Sequence, residues 1–345
     1  MKILITGGAG MVGSHAAEYF SQRGHIVLVY DNLMRSYMFN SDMKSVEYNW
    51  DYLKQCNNIT RQKADIRDVF TLEKCFMEFN PDIIIHTAGQ TGVRFSLENP
   101  REDLAINSVG TFNVLEAMRK INPKGTFIYC STNKVYGDNV NRYDLEEAPA
   151  RYQFKNITGI SEKESVDHAG HTPYGISKLS ADLYVQDYAQ TYGLKTGVFR
   201  MSCIYGTRQF GFEDQGWIAW FCTRFMQKRP LIIYGDGKQV RDVLWVGDLI
   251  NAFEKFIESG VQRGVYNIGG GMENTLSLVE LIDILKEETK YSVPISFADW
   301  RSFDQKIYIS DITKVKKDLE WKPAVSPREG IKRILQWLQT HPELF

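Results

Sequence analysis

Short apolar runs alternate with amphipathic segments along the first two hundred residues. The apolar runs are typical of buried strands, which we predict at Lys2–Thr6, Ile26–Tyr30, Asp82–Thr87, Thr126–Ser131 and Lys195–Arg200. The segments between them repeat apolar positions at helical spacing and predict helices at Ser14–Gln22, Val69–Glu78, Ala105–Lys120 and Tyr174–Tyr192. This alternation predicts an α/β fold in which a doubly wound parallel sheet is covered by helices on both faces.

The pattern changes after about Ser202, where aromatic residues, glycines and shorter elements replace the regular alternation. Helical patterns return at Leu278–Thr289 and Pro327–Gln339. We therefore predict two domains: residues 1–200, which bind a dinucleotide and carry the catalytic residues, and residues 201–345, a smaller α/β lobe that mainly binds substrate. Some segments of the second lobe are expected to return to the first domain.

A glycine-rich turn, GGAGMVG, follows the first predicted strand and opens the first predicted helix. Gly7, Gly10 and Gly13 would let the backbone approach a pyrophosphate at the helix N-terminus, as in a Rossmann-type domain. Such a turn alone also occurs as a tight structural turn. Asp31 stands eighteen positions after Gly13, close to the ~20 expected for the acid that binds the adenosine ribose. Its carboxylate would repel a 2′-phosphate and favours NAD, although nearby Arg35 leaves NADP open.

Further cofactor-binding candidates lie at strand ends and in the adjoining turns and helices. They are Met11, Val12, Asn32, Asp65, Ile66, Thr87, Ala88, Gln90, Asn107, Ser131 and Arg200, together with Tyr174 and Lys178. Two of them have alternatives. Asp65 could instead cap the helix that begins near Asp68, and Asn107 could be an ordinary polar residue of its helix rather than one that orients a lysine.

Tyr174 and Lys178 lie four positions apart in a predicted helix, so both side chains can point into one cleft. A free tyrosine has a pKa of about 10 and is a poor base near neutrality. A nearby ammonium group and a cationic nicotinamide would favour the phenolate. The pair could then take a proton from an alcohol while hydride leaves the same carbon. The spacing alone is common by chance, and its weight comes from the glycine-rich turn and from Ser131-Thr132.

Composition excludes several classes of function. The formal net charge of -1 provides no general attraction for nucleic acid or anionic membranes. The first ten residues do not read as a signal peptide, and the five cysteines are dispersed as in reduced cytosolic proteins, so we expect a cytoplasmic protein. His86, His168 and His171 lack metal-binding spacing and are expected to be structural. We expect no metal, no nucleic-acid partner and no membrane association.

With GGAGMVG, Asp31, Asn107, Ser131-Thr132 and YGISK in this order, the chain resembles the extended short-chain dehydrogenases/reductases over essentially its whole length. The stretches CSTNKVYGDNVN, FRMSCIYGTRQFGFEDQGWIAWF, YGDGKQVRDVLWVGD and DWRSFDQKIYISD further resemble the CDP-paratose 2-epimerases, also called CDP-tyvelose 2-epimerases. This resemblance implies a tightly held NAD and a nucleotide-diphosphate sugar as substrate. It also implies a homodimer formed through Ala105–Lys120 and Tyr174–Tyr192.

The resemblance also implies catalytic roles. Tyr174 would be the base, Lys178 would hold the nicotinamide ribose and tune Tyr174, and Thr132 would hydrogen-bond the reacting oxygen. Related dehydratases and decarboxylases resemble T-D-E or T-S-E where this chain has Thr132-Asn133-Lys134, so no carboxylate is supplied there. We therefore expect an NAD-dependent epimerase that inverts carbon 2 of a CDP-linked dideoxy sugar. The alternative is a UDP-hexose 4-epimerase.

The substrate-binding candidates combine arginines for the diphosphate with polar and aromatic side chains for base and sugar. They are Thr132, Asn133, Cys203, Gln209, Gln215, Trp217, Tyr234, Gln239, Arg241 and Arg301. Each arginine could instead form a structural ion pair, and Trp217 could belong to a helix core. Relatives often carry Pro-Gly after the arginine that corresponds to Arg301, whereas this chain has Ser302-Phe303.

Overall fold

The structure is a computed structural model that describes residues 1–38, 45–301 and 304–345, with Ser45 described in its backbone only. The Ser302-Phe303 departure therefore lies outside the described residues. The chain divides into two compact units. The first unit contains Met1–Val135, His171–Arg200 and Ile250–Tyr266, and the second contains Tyr136–Gly170, Met201–Leu249 and Asn267–Phe345.

The strands in chain order are β1 (Lys2–Thr6), β2 (Ile26–Asp31), β3 (Ile59–Lys63), β4 (Ile83–His86), β5 (Thr126–Thr132), β6 (Leu145–Glu147), β7 (Tyr152–Phe154), β8 (Lys195–Met201), β9 (Cys203–Tyr205), β10 (Leu231–Tyr234), β11 (Val240–Trp245), β12 (Arg263–Ile268), β13 (Thr275–Ser277), β14 (Ile295–Ala298) and β15 (Ile307–Tyr308). The α-helices are α1 (Met11–Gln22), α2 (Arg35–Met38), α3 (Ser45–Tyr52), α4 (Val69–Phe79), α5 (Val93–Glu98), α6 (Pro100–Leu104), α7 (Gly110–Ile121), α8 (Pro173–Tyr192), α9 (Trp217–Met226), α10 (Val246–Glu258), α11 (Leu278–Thr289), α12 (Thr313–Leu319) and α13 (Pro327–Thr340).

The main sheet of the described residues has seven strands in the order β12-β8-β5-β4-β1-β2-β3. The pairings β1–β2, β2–β3, β1–β4 and β4–β5 are all parallel. The predicted α/β fold with a doubly wound parallel sheet is confirmed. Strand order reverses between β1 and β4, and ligands of such sheets bind beyond the carboxyl ends of the strands at this reversal. The glycine-rich turn follows β1 there, and Thr87 follows β4.

Local chemistry explains where the main helices of the first unit begin and end. The Thr172 side chain accepts a hydrogen bond from the Gly175 backbone at the start of α8, and Pro173 occupies the first turn. Gly193 ends this helix at φ 70°, in the left-handed region that glycine adopts without strain. The helix predicted as continuous over Ala105–Lys120 instead begins as a π-helical segment, Ala105–Val109, which joins α6 to α7. A π-turn often marks a functional site.

The second unit contains small sheets packed against helices. Strand β11 pairs with β13, β15 and β9, while β10 pairs with β14 and β6 pairs with β7. Its core consists of aromatic and aliphatic side chains, among them Tyr205, Phe221, Phe225, Leu281 and Ile334. The predicted helix at Leu278–Thr289 is α11, which a capping box of Ser277 and Glu280 begins.

Candidate active site

The glycine-rich turn is packed too closely for side chains at two of its three predicted glycines. Gly7 has φ 69°, and a Cβ there would lie 2.5 Å from the Ala88 backbone nitrogen. A Cβ on Gly13 would lie 2.5 Å from the Gly7 carbonyl oxygen. Gly10 caps α1 without a side-chain hydrogen bond, and Met11 begins that helix. The first-turn N–H groups of α1 therefore have no side-chain cap and suit the pyrophosphate of a dinucleotide.

Asp31 connects the end of β2 to this turn. Its carboxylate accepts hydrogen bonds from the backbone nitrogens of Ala9 (2.9 Å) and Leu33 (2.7 Å). Burial raises the pKa of Asp31, and these two hydrogen bonds oppose the rise. The carboxylate thus lies beside the glycine-rich turn, which suits its predicted place at the ribose of NAD.

Asn32 and Asp65 form the next polar group of the cofactor region. The Asn32 amide donates to the Asp65 carboxylate at 2.8 Å. Arg67 donates to the same carboxylate through Nε at 2.9 Å and through Nη2 at 2.7 Å. The alternative that Asp65 caps α4 is wrong, because Asp68 caps that helix by accepting from the Thr71 backbone nitrogen. Ile66 follows Asp65 and packs where a Cβ on Gly110 would be.

The segment after β4 supports both the turn and the helix that follows. The Thr87 hydroxyl donates to the carbonyl oxygens of Thr6 (2.7 Å) and Gly7 (3.1 Å). Gln90 is fully buried, and its amide donates to the Gly92 carbonyl at 2.5 Å. His86 is structural: its ring nitrogens bond the hydroxyls of Thr6 at 2.6 Å and Thr111 at 2.9 Å. Burial, with the Lys178 charge, lowers the pKa of His86 to about 3.

Tyr174, Lys178 and Thr132 are brought together as predicted, on α8 and at the end of β5, and all three are buried. The Lys178 ammonium donates to the Cys130 carbonyl at 2.7 Å and lies 4.3 Å from the centre of the Tyr129 ring. Thr132 accepts from the Lys134 backbone nitrogen at 3.2 Å and donates to the Asn133 side-chain oxygen at 3.3 Å. A hydroxyl, a phenol and an ammonium group therefore occupy one buried region.

The electrostatics of this group follow from its burial. Burial raises the pKa of Tyr174 to about 12, a hydrogen bond with Thr132 opposes the rise, and the charge of Asp103 adds to it. Burial lowers the pKa of Lys178 to about 8, against the attraction of nearby negative groups that include Asp182 and Asp103. Near neutral pH Lys178 is largely protonated, and its charge is available to favour a Tyr174 phenolate.

Ser131 and Arg200, two predicted cofactor-binding residues, both bond a carboxylate that the sequence analysis did not identify. The Ser131 hydroxyl donates to Asp182 at 2.6 Å, and Arg200 donates to both oxygens of that carboxylate at 3.0 Å and 3.1 Å. The Asp182–Arg200 pair is almost fully buried. Asp182 lies one helical turn after Lys178, and this spacing is the sequence signal that could have identified it.

Asn107 lies at the centre of the π-helical segment, and its amide is fully engaged. Its oxygen accepts from the Gln90 backbone nitrogen at 2.9 Å. Its nitrogen donates to the Gln90 carbonyl, the Asp103 carboxylate and the Ser177 hydroxyl, each at 3.1 Å. The alternative that Asn107 is an ordinary helix residue is wrong, because it joins three elements beside Lys178. Asp103 and Ser177 were also missed by the sequence analysis.

In the second unit, each predicted diphosphate-binding arginine forms an ion pair. Arg241 donates to Asp304 at 2.6 Å, and Arg301 lies 3.1 Å from the carboxylate of Asp214. Arg301 also donates to the Glu213 carbonyl at 3.1 Å and lies 4.0 Å from the centre of the Tyr234 ring. The Tyr234 hydroxyl donates to the Glu213 carboxylate at 2.7 Å. The acidic pair in the EDQGW stretch therefore holds Arg301 and Tyr234.

The remaining candidates of the second unit lie in the loop before α9 and beside β10. Trp217 begins α9 and donates to the Cys203 sulfur at 3.4 Å. Gln215 forms a short backbone bridge with Phe212. The amides of Gln209 and Gln239 donate to the backbone, and within the described ranges their buried oxygens have no hydrogen-bond donor. These two oxygens are available to a ligand that carries hydroxyl or amino groups.

The described residues contain no cluster of three or more side chains that could hold a metal ion. Among the same residues, no helix has the length and apolar character required to cross a membrane.

Residues 3–269 match the model of the NAD dependent epimerase/dehydratase family. The chain belongs to this family. It is 37% identical to the CDP-paratose 2-epimerase of Salmonella typhi over 345 residues, an alignment that covers 98% of this chain and 99% of the relative. The UDP-glucose 4-epimerase of Thermotoga maritima, solved with UDP-glucose, is 31% identical, with a TM-score of 0.84 over 99% of this chain and 100% of that one. The UDP-glucose 4-epimerase of Thermus thermophilus, solved with NAD, is 27% identical, with a TM-score of 0.81 over 98% and 99%.

Family membership confirms the predicted resemblance to the extended short-chain dehydrogenases/reductases and to the CDP-paratose 2-epimerases. The cofactor of this family member is NAD, and the prediction of an NAD-dependent epimerase is confirmed at the level of the family. The crowded glycine-rich turn, the uncapped start of α1 and the position of Asp31 all fit that cofactor.

Proposed function

We propose that this chain is an NAD-dependent epimerase that inverts carbon 2 of a CDP-linked dideoxy sugar, interconverting CDP-paratose and CDP-tyvelose. The observation that carries this proposal is the pairing of the buried Thr132, Tyr174 and Lys178 group with Asn133, an amide where related dehydratases place a carboxylate. Such a site supports removal and return of hydride without elimination. The 37% identity to a CDP-paratose 2-epimerase over nearly the whole chain supports the choice of sugar nucleotide.

The position of the inverted carbon limits the chemistry. A ketone at carbon 4 would acidify the hydrogens on carbons 3 and 5 and leave the one on carbon 2 unaffected. Because carbon 3 of this sugar carries no hydroxyl, the direct route is oxidation of carbon 2 itself. The keto sugar must then turn or shift in the site so that the other face receives hydride.

The residues of the chain perform the proton chemistry of this route. Tyr174 takes the proton from the carbon 2 hydroxyl and later gives it back, while Thr132 hydrogen-bonds the same oxygen. The Lys178 ammonium, with a pKa of about 8, supplies the charge that makes the phenolate accessible. Bound NAD would accept the hydride and return it, and its oxidised ring would add a second positive charge. Burial of all three side chains excludes water from the proton transfer.

We assign the two ligands to different units of the chain. NAD is held by the first unit through Gly7, Gly10, Gly13 and Asp31, and the nucleotide sugar is recognised by residues of the second unit. Arg241 and Arg301 would bind the diphosphate, since a guanidinium group offers paired donors to phosphate oxygens. Tyr234 offers an aromatic face for the base.

The test is to incubate the purified protein with CDP-tyvelose in heavy water without added NAD and to follow the carbon 2 proton by NMR. Formation of CDP-paratose with protium retained at carbon 2 is expected, because hydride returns from bound cofactor. Solvent deuterium at carbon 2 would contradict the direct oxidation route.

A UDP-hexose 4-epimerase is the second candidate, favoured by the 31% identity and close structural match to the Thermotoga maritima enzyme. It would use the same Thr132, Tyr174 and Lys178 group. Conversion of UDP-glucose by a protein that leaves CDP-tyvelose unchanged would establish this candidate in place of the first.

We also propose that the chain forms a homodimer through α7 and α8. Apolar side chains on these helices and the segment before them are more than one-third exposed, namely Leu104, Val109, Phe112, Ile176, Leu183 and Tyr184. Exposed apolar side chains of this kind on neighbouring helices favour self-association. Leu183→Asp should produce a monomer in sedimentation, whereas Phe70→Asp, on an exposed apolar residue of α4, should not. A monomeric wild-type protein would refute the proposal.

A further inference from the structure

A carboxylate is buried beside the Tyr174–Lys178 pair, and the mechanism above does not use it. Asp103 lies in the short helix α6, one turn before Asn107, and is fully buried. Burying a charged carboxylate is costly unless it has hydrogen-bond partners and an opposite charge nearby. The hydrogen-bond partners and charges around Asp103 therefore indicate what this buried carboxylate does.

The first partner of Asp103 is the amide of Asn107. Asp103 Oδ1 accepts from Asn107 Nδ2 at 3.1 Å, and the Ser177 hydroxyl, which donates to the Tyr174 carbonyl at 3.1 Å, lies close to the carboxyl group. Ser177 precedes Lys178 on α8, and its hydroxyl accepts from the same amide of Asn107 at 3.1 Å. The carboxylate thus helps to fix the π-helical segment against the helix that carries both catalytic side chains.

The second partner is the charge of Lys178. Burial raises the pKa of Asp103, while the Ser177 hydrogen bond and the Lys178 ammonium lower it. In return, the Asp103 charge raises the pKa values of Tyr174 and Lys178. The titratable groups that face this pair from the packed elements are Asp103 on α6, Asp182 on α8, Tyr129 and Cys130 on β5 and His86 on β4. Burial keeps Tyr129 and Cys130 protonated and His86 neutral, while the two carboxyl groups are those of Asp103 and of Asp182, which pairs with Arg200.

We propose that Asp103 is a positioning residue of the reaction, which orients Asn107 through a hydrogen bond and stabilises the protonated form of Lys178 through its charge. It acts through these residues and does not touch the substrate. The proposal rests on the proposed function, because it requires Tyr174 and Lys178 to carry out the proton transfer.

Two substitutions separate the hydrogen bond from the charge. Asp103→Asn keeps an oxygen that can accept from Asn107 and removes the charge, with an amide nitrogen in place of the oxygen Oδ2, which has no hydrogen-bond partner among the described residues. Because a negative neighbour raises both pKa values, its removal should move both limbs of the pH profile of kcat to lower pH. A shift of roughly one pH unit or more is expected, because a unit charge within about 12 Å acts at that strength in a medium of effective dielectric constant about 20. The kcat at the new optimum should stay within about threefold of wild type, since the hydrogen bond remains.

Asp103→Leu removes the charge and the hydrogen bond together. It should lower kcat by roughly 10–100-fold, as the loss of an outer orienting group does in other sites, with little change in KM. The matched control is Asp248→Asn, because Asp248 is a buried carboxylate of the second unit that accepts from the Ala324 and Val325 backbone nitrogens, each at 3.0 Å. This control should change the melting temperature and leave the pH profile unchanged.

A titration of Tyr174 that requires no turnover tests the proposal without a substrate. The ultraviolet absorbance of the Tyr174 phenolate is obtained by subtracting the titration of a Tyr174→Phe variant from that of the NAD-loaded protein. Asp103→Asn should lower its midpoint in the same direction as the kinetic profile. Failure of the wild type to convert any nucleotide sugar would refute the proposed function, whereas this titration would still test Asp103. The proposal would be wrong if Asp103→Asn left the titration midpoint of Tyr174 and the pH profile of kcat unchanged and Asp103→Leu kept the wild-type kcat. Asp103 would then be a residue that only stabilises the fold.

Discussion

The proposed catalytic group of the first unit and the Arg301 ion pair of the second unit are held by different kinds of contact. Tyr174, Lys178 and Thr132 are buried, and Lys178 is fixed by a hydrogen bond to the Cys130 carbonyl. The side chains of Arg301 and its partner Asp214 are instead 35% and 33% exposed.

The difference indicates which of the two groups has a fixed geometry in the absence of ligands. Buried hydrogen bonds define one geometry, because leaving a partner unsatisfied away from water is costly. An ion pair that is one-third exposed is worth only about 0–1 kcal/mol, so an incoming diphosphate can replace the carboxylate at little cost. We infer that the proposed catalytic group is preorganised and that Arg301 would bind a diphosphate by exchanging the Asp214 carboxylate for it.

Removing the phenol should have the largest effect. Tyr174→Phe should lower kcat by roughly 10²–10⁴-fold while bound NAD remains, since only the group that transfers the proton is lost. Tyr188→Phe is the matched control on the same helix, because the Tyr188 hydroxyl donates to Glu116 at 2.8 Å and has no place in the proposed reaction. Steady-state rates and the NAD content of both proteins provide the measurement. Substantial epimerisation by Tyr174→Phe would show that the preorganised group is not the base.

Removing Arg301, which we propose binds the diphosphate, should have an intermediate effect on substrate affinity and little effect on kcat. Arg301→Gln should raise KM for the nucleotide sugar by about 10–100-fold, the range for lost hydrogen bonds to a charged group. Arg328→Gln serves as the control, because Arg328 pairs with Glu287 and Glu288 on the surface of α13 and α11. An unchanged KM in the first variant would make Arg301 a structural ion-pair residue.

Removing the Asp214 carboxylate, which would compete with the diphosphate for Arg301, should have the smallest effect. It should lower KM, whereas the loss of Arg301 should raise it. Asp214→Asn should lower KM by about two- to fivefold, because an exposed ion pair contributes less than about 1 kcal/mol. Binding of CDP to the variant and to wild type, measured by calorimetry, tests this directly. Weaker binding by the variant would mean that Asp214 itself contacts the nucleotide, and the idea of anion exchange would be wrong.

The sequence predicted the main elements because their signals are local. The apolar run Lys2–Thr6 is β1 as predicted, and Gly193 ends α8 as its missing side chain allows. The π-helical segment at Ala105–Val109 was not predicted, since a single π turn of five residues is too short to leave a recognisable apolar pattern. It arises where Asn107 bonds Gln90 and Ser177, which are distant in sequence.

Some residues of the candidate site could be predicted and others could not, because only some of them have a local sequence signal. Tyr174 and Lys178 could be identified from a four-residue spacing, and Asp31 from its distance to the glycine-rich turn. Asp103 could not be identified, because a carboxylate on a helix is usually exposed and its sequence neighbours do not reveal that it is buried. The ion pairs of Arg241 and Arg301 depend on Asp304 and Asp214, which only folding brings close.

The sequence by itself determined the parallel α/β fold, the glycine-rich cofactor turn and the tyrosine–lysine pair. Each of these depends on residue type and spacing over a few positions, where backbone sterics and helical geometry act directly. The tertiary structure alone decided which charges are buried together and which face water. Burial and residues distant in sequence set the pKa values of Lys178 and Asp103, because the free energy of a buried charge depends on every group packed around it.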